Sequence, residues 1–305
     1  MSAAPLARPR YTPRGVVTLL LFALLAPGLL FGVVFASFQI FPKRVAGTRT
    51  PATYGLAFTP LAFTAADGVP TQGWYLPPPA TPAPVVVAVH GHRGRRDQFL
   101  NQAKFLVQAG YGVVMMDLRQ HGESGPGVCT FGLREAEEIR PYLDHVRALP
   151  AHRDQKAGII GWSMGAVTAL RAAALYPELA SVVADSPFAS LADQSRHRVS
   201  SIVPRPLDAY CWAFAMLTGC VLAAEPPSAW NVAEWLPRIQ PRPIFFIHGL
   251  DDNNIPPSAT RTLVAAATAP VETWYTPGVR HIDSRNVYPA EYAKRVTDFF
   301  NRTLR

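Results

Sequence analysis

Charge is scarce in this chain: Asp, Glu, Lys and Arg make up 16% of the 305 residues, against 49% apolar. Disorder needs low hydrophobicity and dense charge, so that class is excluded and a globular chain with a large core remains. Cysteine is rarer still. Cys129, Cys211 and Cys220 form neither a disulfide framework nor a C-x-x-C metal spacing. If Cys211 and Cys220 share a helix at ~1.5 Å rise per residue, they lie too far apart to bridge. Three unpaired thiols are therefore expected, and the redox compartment stays open. The sequence has no G-x-x-x-x-G-K-[ST], no H-E-x-x-H and no G-x-G-x-x-G after a strand, which argues against P-loop, zincin and dinucleotide-binding chemistry. No Lys/Arg-rich run with interleaved aromatics occurs, so the net charge of +8 does not point to nucleic acid. Neither a metal nor an organic cofactor is implied.

What the chain does have is a long uncharged run from Gly15 to Phe41. A helix of ~20 apolar residues crosses a ~30 Å hydrocarbon layer, so this run suffices, and Pro27-Gly28 is tolerated in a membrane helix. A signal anchor is the expectation. A cleaved signal peptide has an apolar stretch of only ~7–15 residues, although Val34-Phe35-Ala36 resembles a cleavage site. A buried core helix would carry a polar face, and this one has almost none. Three basic residues flank each end: Arg8, Arg10 and Arg14 before, Lys43, Arg44 and Arg49 after. The flanking charge orients the chain only weakly, with the N-terminus in the cytoplasm and the bulk outside. The segments expected are a basic arm at 1–14, a transmembrane anchor at 15–41, a linker at 42–55 and a catalytic domain at 56–305.

From Leu56 onward strand-like and helix-like segments alternate. Leu56–Phe63 and Thr71–Leu76 read as strands joined at Ala66-Asp67-Gly68. Val85–Val89 and Gly112–Met116 read as strands buried on both faces. Gln98–Ala109 predicts a helix with Asp97 as N-cap and Gly110 as its stop. Phe131–Leu149 predicts one helix. Strands follow at Ala157–Gly161, Ser181–Ala184, Ile244–Ile247 and Val271–Tyr275, with helices at Ala166–Tyr176, Ala259–Ala267 and Ala290–Arg302. This alternation predicts an α/β fold, a mostly parallel sheet covered on both faces. The rhythm breaks across 190–240, which is rich in proline and carries an apolar piece, Tyr210–Leu217. That stretch is expected to be a lid insertion, the alternative being two extra helices packed on the sheet.

The sharpest motif is Gly161-Trp162-Ser163-Met164-Gly165, set between a buried strand and a helix. It is the G-x-S-x-G nucleophile elbow in its supporting context: a sharp strand-to-helix turn strains the serine and demands minimal side chains two residues to either side. With this motif the chain resembles the α/β-hydrolase superfamily, from about Leu56 to Leu304, and looks similar to its membrane-anchored or secreted bacterial esterase-like, lysophospholipase-like and serine-peptidase-like members. The resemblance implies an eight-stranded sheet. It places the base at His281, after the last strand, and aligns Asp252 in His248-Gly249-Leu250-Asp251-Asp252 with the orienting acid. Adjacent Asp251, and Asp185 after the preceding strand, stay open as alternatives. The oxyanion donors implied are the backbone N–H of Met164 and of His92, or else Arg93, in His90-Gly91-His92-Arg93-Gly94. His90 is expected to brace its loop rather than carry protons. Asp117-Leu118-Arg119-Gln120-His121-Gly122-Glu123-Ser124 resembles a structural turn of the family, with Asp117 and Arg119 pinning it. A serine nucleophile argues against dehalogenase and dienelactone-hydrolase chemistry.

The reading is a serine hydrolase that cleaves an ester, thioester or amide bond through an acyl-enzyme. A small-molecule or lipid-like acyl substrate is expected, with the membrane as the other partner. A serine peptidase of the same fold and a non-catalytic, membrane-tethered binding module are the alternatives.

Overall fold

The computed structural model describes residues 12–305, so most of the basic arm at 1–14, with Arg8 and Arg10, lies outside the described residues. In chain order the main elements are α1 (Pro13–Ile40), β1 (Thr59–Thr64), β2 (Pro70–Leu76), β3 (Val85–Val89), α2 (Leu100–Gln108), β4 (Gly112–Asp117), α3 (Arg134–Glu137) and α4 (Ile139–Ala148). Then come β5 (Ala157–Trp162), α5 (Met164–Leu175), β6 (Leu179–Asp185), α6 (Leu191–Ser200), α7 (Leu207–Ala223), β7 (Ile244–Gly249), α8 (Ser258–Ala266), β8 (Val271–Thr276), α9 (Ser284–Val287) and α10 (Pro289–Leu304).

The eight strands form one sheet in the order β1-β2-β4-β3-β5-β6-β7-β8. β1, β2 and β4 pair antiparallel, and every pairing from β4 through β3 to β8 is parallel. β3 explains why the centre of the sheet reads as an unbroken apolar run. Val85, Val87 and Val89 point into a core shared with α4, α5 and α8. Val86 and Ala88 point into a second core shared with α2 and α10. Alternate residues of a strand face opposite sides, so a strand covered on both must be apolar throughout.

Three local expectations are corrected. Asp97 does not cap the helix after it. It is buried within a 3₁₀ turn, Arg96–Phe99, and accepts the Thr48 N–H at 3.2 Å and Arg95 Nε at 2.8 Å. It therefore ties the stretch after α1 to the domain. The helix expected over Phe131–Leu149 starts later and divides into α3 and α4 around Glu138. The Glu135 carboxylate gathers Thr130 and the Gly132 N–H, which holds 130–132 out of helical geometry. The first strand starts at Thr59 rather than Leu56.

α1 is continuous through Pro27, and its mean hydropathy reaches 2.6 over an 18-residue window, which makes it long and apolar enough to cross a membrane. It does not stand apart from the domain. Its buried residues, Gly28, Gly32, Ala36 and Ile40, recur every four positions. That spacing puts them on one face of the helix, and this face lies against α7.

Candidate active site

Three parallel strands end at the same edge of the sheet, and each hands its chain to a loop carrying one of Ser163, Asp252 and His281. Ligands of open α/β sheets bind outside these carboxyl ends. β5 ends at Trp162 and α5 begins at Met164, leaving Ser163 alone in the turn at φ 53°, ψ −120°. A positive φ is uncommon for a residue with a Cβ and is held only when the surroundings enforce it. The flanking glycines permit the tight turn here, and the Ser163 N–H is tied to Asp185 O at 2.8 Å. A Cβ on Gly161 would come closer than 3.0 Å to the backbone of Gly165, and one on Gly165 would do the same with the carbonyls of Val89 and His90.

His281 follows β8 and Asp252 follows β7. Their loops are laced together by the Leu250 N–H to Thr276 O at 2.9 Å and the Asp251 N–H to Val279 O at 3.0 Å. The result is a chain of two hydrogen bonds. His281 Nε2 lies 2.9 Å from Ser163 Oγ, and His281 Nδ1 lies 2.6 Å from Asp252 Oδ2. Asp252 is buried, while the imidazole is 18% exposed at its edge.

The Asp252 carboxylate is held as an anion. Burial alone would raise its pKa, but hydrogen bonds from His248 and His281 outweigh that and hold it well below the usual carboxylate range. The backbone N–H groups of Asn254 and Ile255 both donate to Oδ1 at 2.9 Å. His248 Nε2 faces Oδ2 from the other side at 3.2 Å. The His248 ring is fixed in turn by Ile255 O and Thr260 Oγ1. Sequence reasoning passed over His248, although it opens the segment that places Asp252. The two alternative acids stand elsewhere. Asp251 is exposed, and Asp185 joins a buried chain in which Trp162 Nε1 donates to Tyr292 Oη, which donates to Asp185 at 3.2 Å.

The loop His90-Gly91-His92 passes beside the serine, close enough that a Cβ on Gly91 would lie 3.3 Å from Ser163 Cβ. His90 braces it: Nδ1 bonds to Gly91 O at 2.8 Å, and Nε2 accepts the Leu118 N–H at 3.1 Å. Burial holds this imidazole neutral, its pKa lowered to about 4. Met164 opens α5, so its N–H lacks a partner within the helix and is free to face a ligand. In the neighbouring turn Asp117 takes the N–H groups of Arg96 and Glu123, and Arg119 pairs with Glu138 and Asp67. Both residues thus pin it.

A cavity of about 370 Å³ opens onto Ser163 and His281. Its wall is mainly apolar: α1 and α7 supply one part, and Phe131, Trp162, Phe188 and Trp230 are among the residues of the rest. Its charged lining residues are Arg93, Arg198 and Arg285, with no carboxylate among them, so the site favours negative charge. At its wall, where His92 and Cys129 are lining residues, His92, His121 and Cys129 bring three ligand-type atoms within 4.8 Å of one another. Each imidazole is tied by one nitrogen to a backbone carbonyl, of Gln39 and Arg119 respectively. Burial raises the thiol well above its ordinary pKa, so it is a poor metal ligand there. The serine–imidazole geometry does not draw on this trio.

A family model described as the alpha/beta hydrolase fold matches residues 84–204, which contain the elbow. The whole-chain architecture agrees: the Pyrococcus furiosus esterase Pf2001 superposes with a TM-score of 0.73 at 26% identity, over 88% of this chain and 99% of that one. The chain has the α/β-hydrolase fold. Among curated relatives, this hydrolase is 27% identical to the Bacillus subtilis protein YqkD over 80% of its own length and 79% of that protein. It is 29% identical to Esterase YjfP of Escherichia coli over 66% of its length and 83% of that relative. The strand order, the strained serine and the placement of the histidine and aspartate loops thus sit within a hydrolase framework with esterase neighbours.

Proposed function

We propose that this hydrolase cleaves carboxylic esters through an acyl-enzyme, with Ser163 as nucleophile, His281 as general base and Asp252 as the orienting acid. A serine hydroxyl is a weak nucleophile at neutral pH and needs a base to take its proton. His281 Nε2 accepts that proton as Oγ attacks the ester carbonyl. Asp252 keeps the other ring proton on Nδ1 and stabilises the imidazolium that forms. The oxyanion is held by the backbone N–H of Met164 and that of His92. Each such donor contributes roughly 3–4 kcal/mol to transition-state binding. His281 then returns its proton to the leaving alcohol, and a water activated by the same ring releases the acid.

The observation that carries this reading is the unbroken path from Ser163 Oγ through His281 to Asp252, at 2.9 and 2.6 Å. That YjfP and Pf2001 are esterases favours an ester over a peptide. The reading includes α1 as a membrane anchor, the domain lying outside the cytoplasm and the segment Ser190–Gln240 serving as a lid. The test is labelling by a fluorophosphonate probe together with turnover of p-nitrophenyl acetate. Wild-type protein is expected to do both. Ser163→Ala should fold, fail to label and lose turnover. Undiminished esterase activity in that variant would reject the assignment. Preferential cleavage of aminoacyl-arylamides would replace the esterase by a peptidase, and no labelling of wild-type protein would leave a binding module.

A further inference from the structure

An anchor that only tethers a domain has no reason to touch its active site. Here the last turn of α1 lies inside it. Phe35, Ala36 and Ile40 line the same cavity as Ser163 and His281. The carbonyls at the end of α1 are captured by the domain: His92 Nε2 bonds to Gln39 O at 2.7 Å, Arg93 donates to Phe38 O at 3.2 Å, and the Cys129 N–H donates to Ile40 O at 3.1 Å. These are groups a helix end must otherwise leave to water. His92 and Arg93 sit in the loop beside the serine, so the helix end and the reactive centre share their supports.

Further up, α1 is locked to α7. Gly28, Gly32 and Ala36 form a small-residue face of the kind that lets helix backbones approach closely. A Cβ on Gly32 would lie 2.5 Å from Phe214 O and 2.7 Å from Thr218 Oγ1. The Tyr210 hydroxyl accepts the Gly28 N–H at 2.9 Å and donates to Leu24 O, so it sits between two groups of one helical turn. The other flank of α7 supplies Ala215, Met216 and Gly219 to the cavity. The pair therefore forms one continuous apolar wall that leads from the reactive serine towards the exposed, all-apolar part of α1.

We propose that α1 is a retained part of the substrate site, and that the substrate is a long-chain acyl ester whose chain lies along the α1–α7 wall. This rests on the hydrolytic reading above. Each methylene buried there contributes up to roughly fourfold in binding, so chain length should be the main determinant of specificity. Loss of α1, as by cleavage after Ala36, would open the cavity on one side.

The experiment uses full-length protein in phosphatidylcholine nanodiscs. kcat/KM is measured for p-nitrophenyl acetate, for p-nitrophenyl octanoate added from water, and for the dodecanoate carried in phosphatidylcholine vesicles. The variants are Gly32→Leu, which wedges the seam without lining the cavity, and the milder Tyr210→Phe. Fluorophosphonate labelling of each reports whether Ser163 is still assembled. Wild type is expected to prefer octanoate over acetate by at least tenfold. Gly32→Leu should keep acetate turnover within threefold and lose at least tenfold on the long esters, with Tyr210→Phe changing in the same direction by less. A gain seen equally for octanoate from water supports the wall with substrate drawn from solution. A gain confined to dodecanoate in vesicles supports it with substrate drawn from lipid. Wild type that labels and cleaves acetate but shows no chain-length preference, or seam variants that label and keep it, overturns the inference alone. Wild type that neither labels nor cleaves acetate overturns the hydrolytic reading itself.

Discussion

Replacing Asp252 by asparagine isolates the contribution of one carboxylate oxygen. Oδ1 already accepts two backbone N–H groups, from Asn254 and Ile255, and the asparagine carbonyl takes over that duty. The amide nitrogen must then stand where Oδ2 was, facing His281 Nδ1 at 2.6 Å and His248 Nε2 at 3.2 Å. Two N–H donors cannot share a hydrogen bond, so the His281 ring is driven to carry its proton on Nε2 instead. That proton points at Ser163 Oγ, where a lone pair is needed. The analogous loss of tautomer control in a serine triad lowers kcat by ~10⁴, which is about 5.4 kcal/mol at 1.36 kcal/mol per decade. Because the ring is wrong in the complex as well as in the free enzyme, kcat and kcat/KM should fall together. Initial rates on p-nitrophenyl acetate, with a thermal melt to verify folding, give the answer. Asp185→Asn is the companion, since its carboxylate bonds Ser186 and Tyr292, and it should retain turnover within about tenfold. A loss smaller than tenfold for Asp252→Asn in folded protein, or a larger loss for Asp185→Asn, would refute the reasoning.

Other consequences can be measured directly. Gly165→Ala places a methyl against the carbonyls of Val89 and His90 and should cost about 1–3 kcal/mol or more by overpacking, seen as a lower midpoint in urea together with lost labelling of Ser163. Burial holds His90 down to about 4 and, with His90 beside it, His121 down to about 3, against 6.5 for a free imidazole. The unfolded chain therefore binds more protons than the folded one from about pH 6.5 down to these values. Stability is fully present above 6.5 and falls on acidification by up to ~1.4 kcal/mol per pH unit for each ring. A Tm equal at pH 7 and pH 5 would contradict this. Arg198→Gln removes one of three cations lining the cavity and should raise KM several-fold for an acyl ester with an anionic alcohol part, while changing a neutral ester little.

Much of the fold could be read from residue pattern because its causes are local. β3 is apolar throughout, and β4 as far as Met116, because both faces are covered, and α5 follows its elbow because Gly161 and Gly165 permit the turn. The spacing of Ser163, Asp252 and His281 along the chain matched a known order, and the structure brings the three together. What pattern could not supply were contacts whose partners lie far away in sequence. Asp97 has the residue type and place of a helix cap, yet its carboxylate is claimed by Thr48 and Arg95. The choice between Asp251 and Asp252 depended on which of two neighbours turns inward. His248 carried no signal beyond its place in a motif. The docking of α1 was hidden most thoroughly, since a helix apolar on every side gives no hint of which face is occupied. Only the recurrence of Gly28, Gly32 and Ala36 marked it.

The seam between α1 and α7 also bears on how the protein is made. The Gly28 N–H and the Tyr210 hydroxyl that meet across it are 182 residues apart. At a synthesis rate of ~5–20 residues per second, about 9–36 s pass between the appearance of one partner and the other. α1 must therefore wait, oily and without its mate, while six of the eight strands are produced. The cavity gains its α1–α7 wall only once the later helix docks, and the loop that brings His281 to it follows later still.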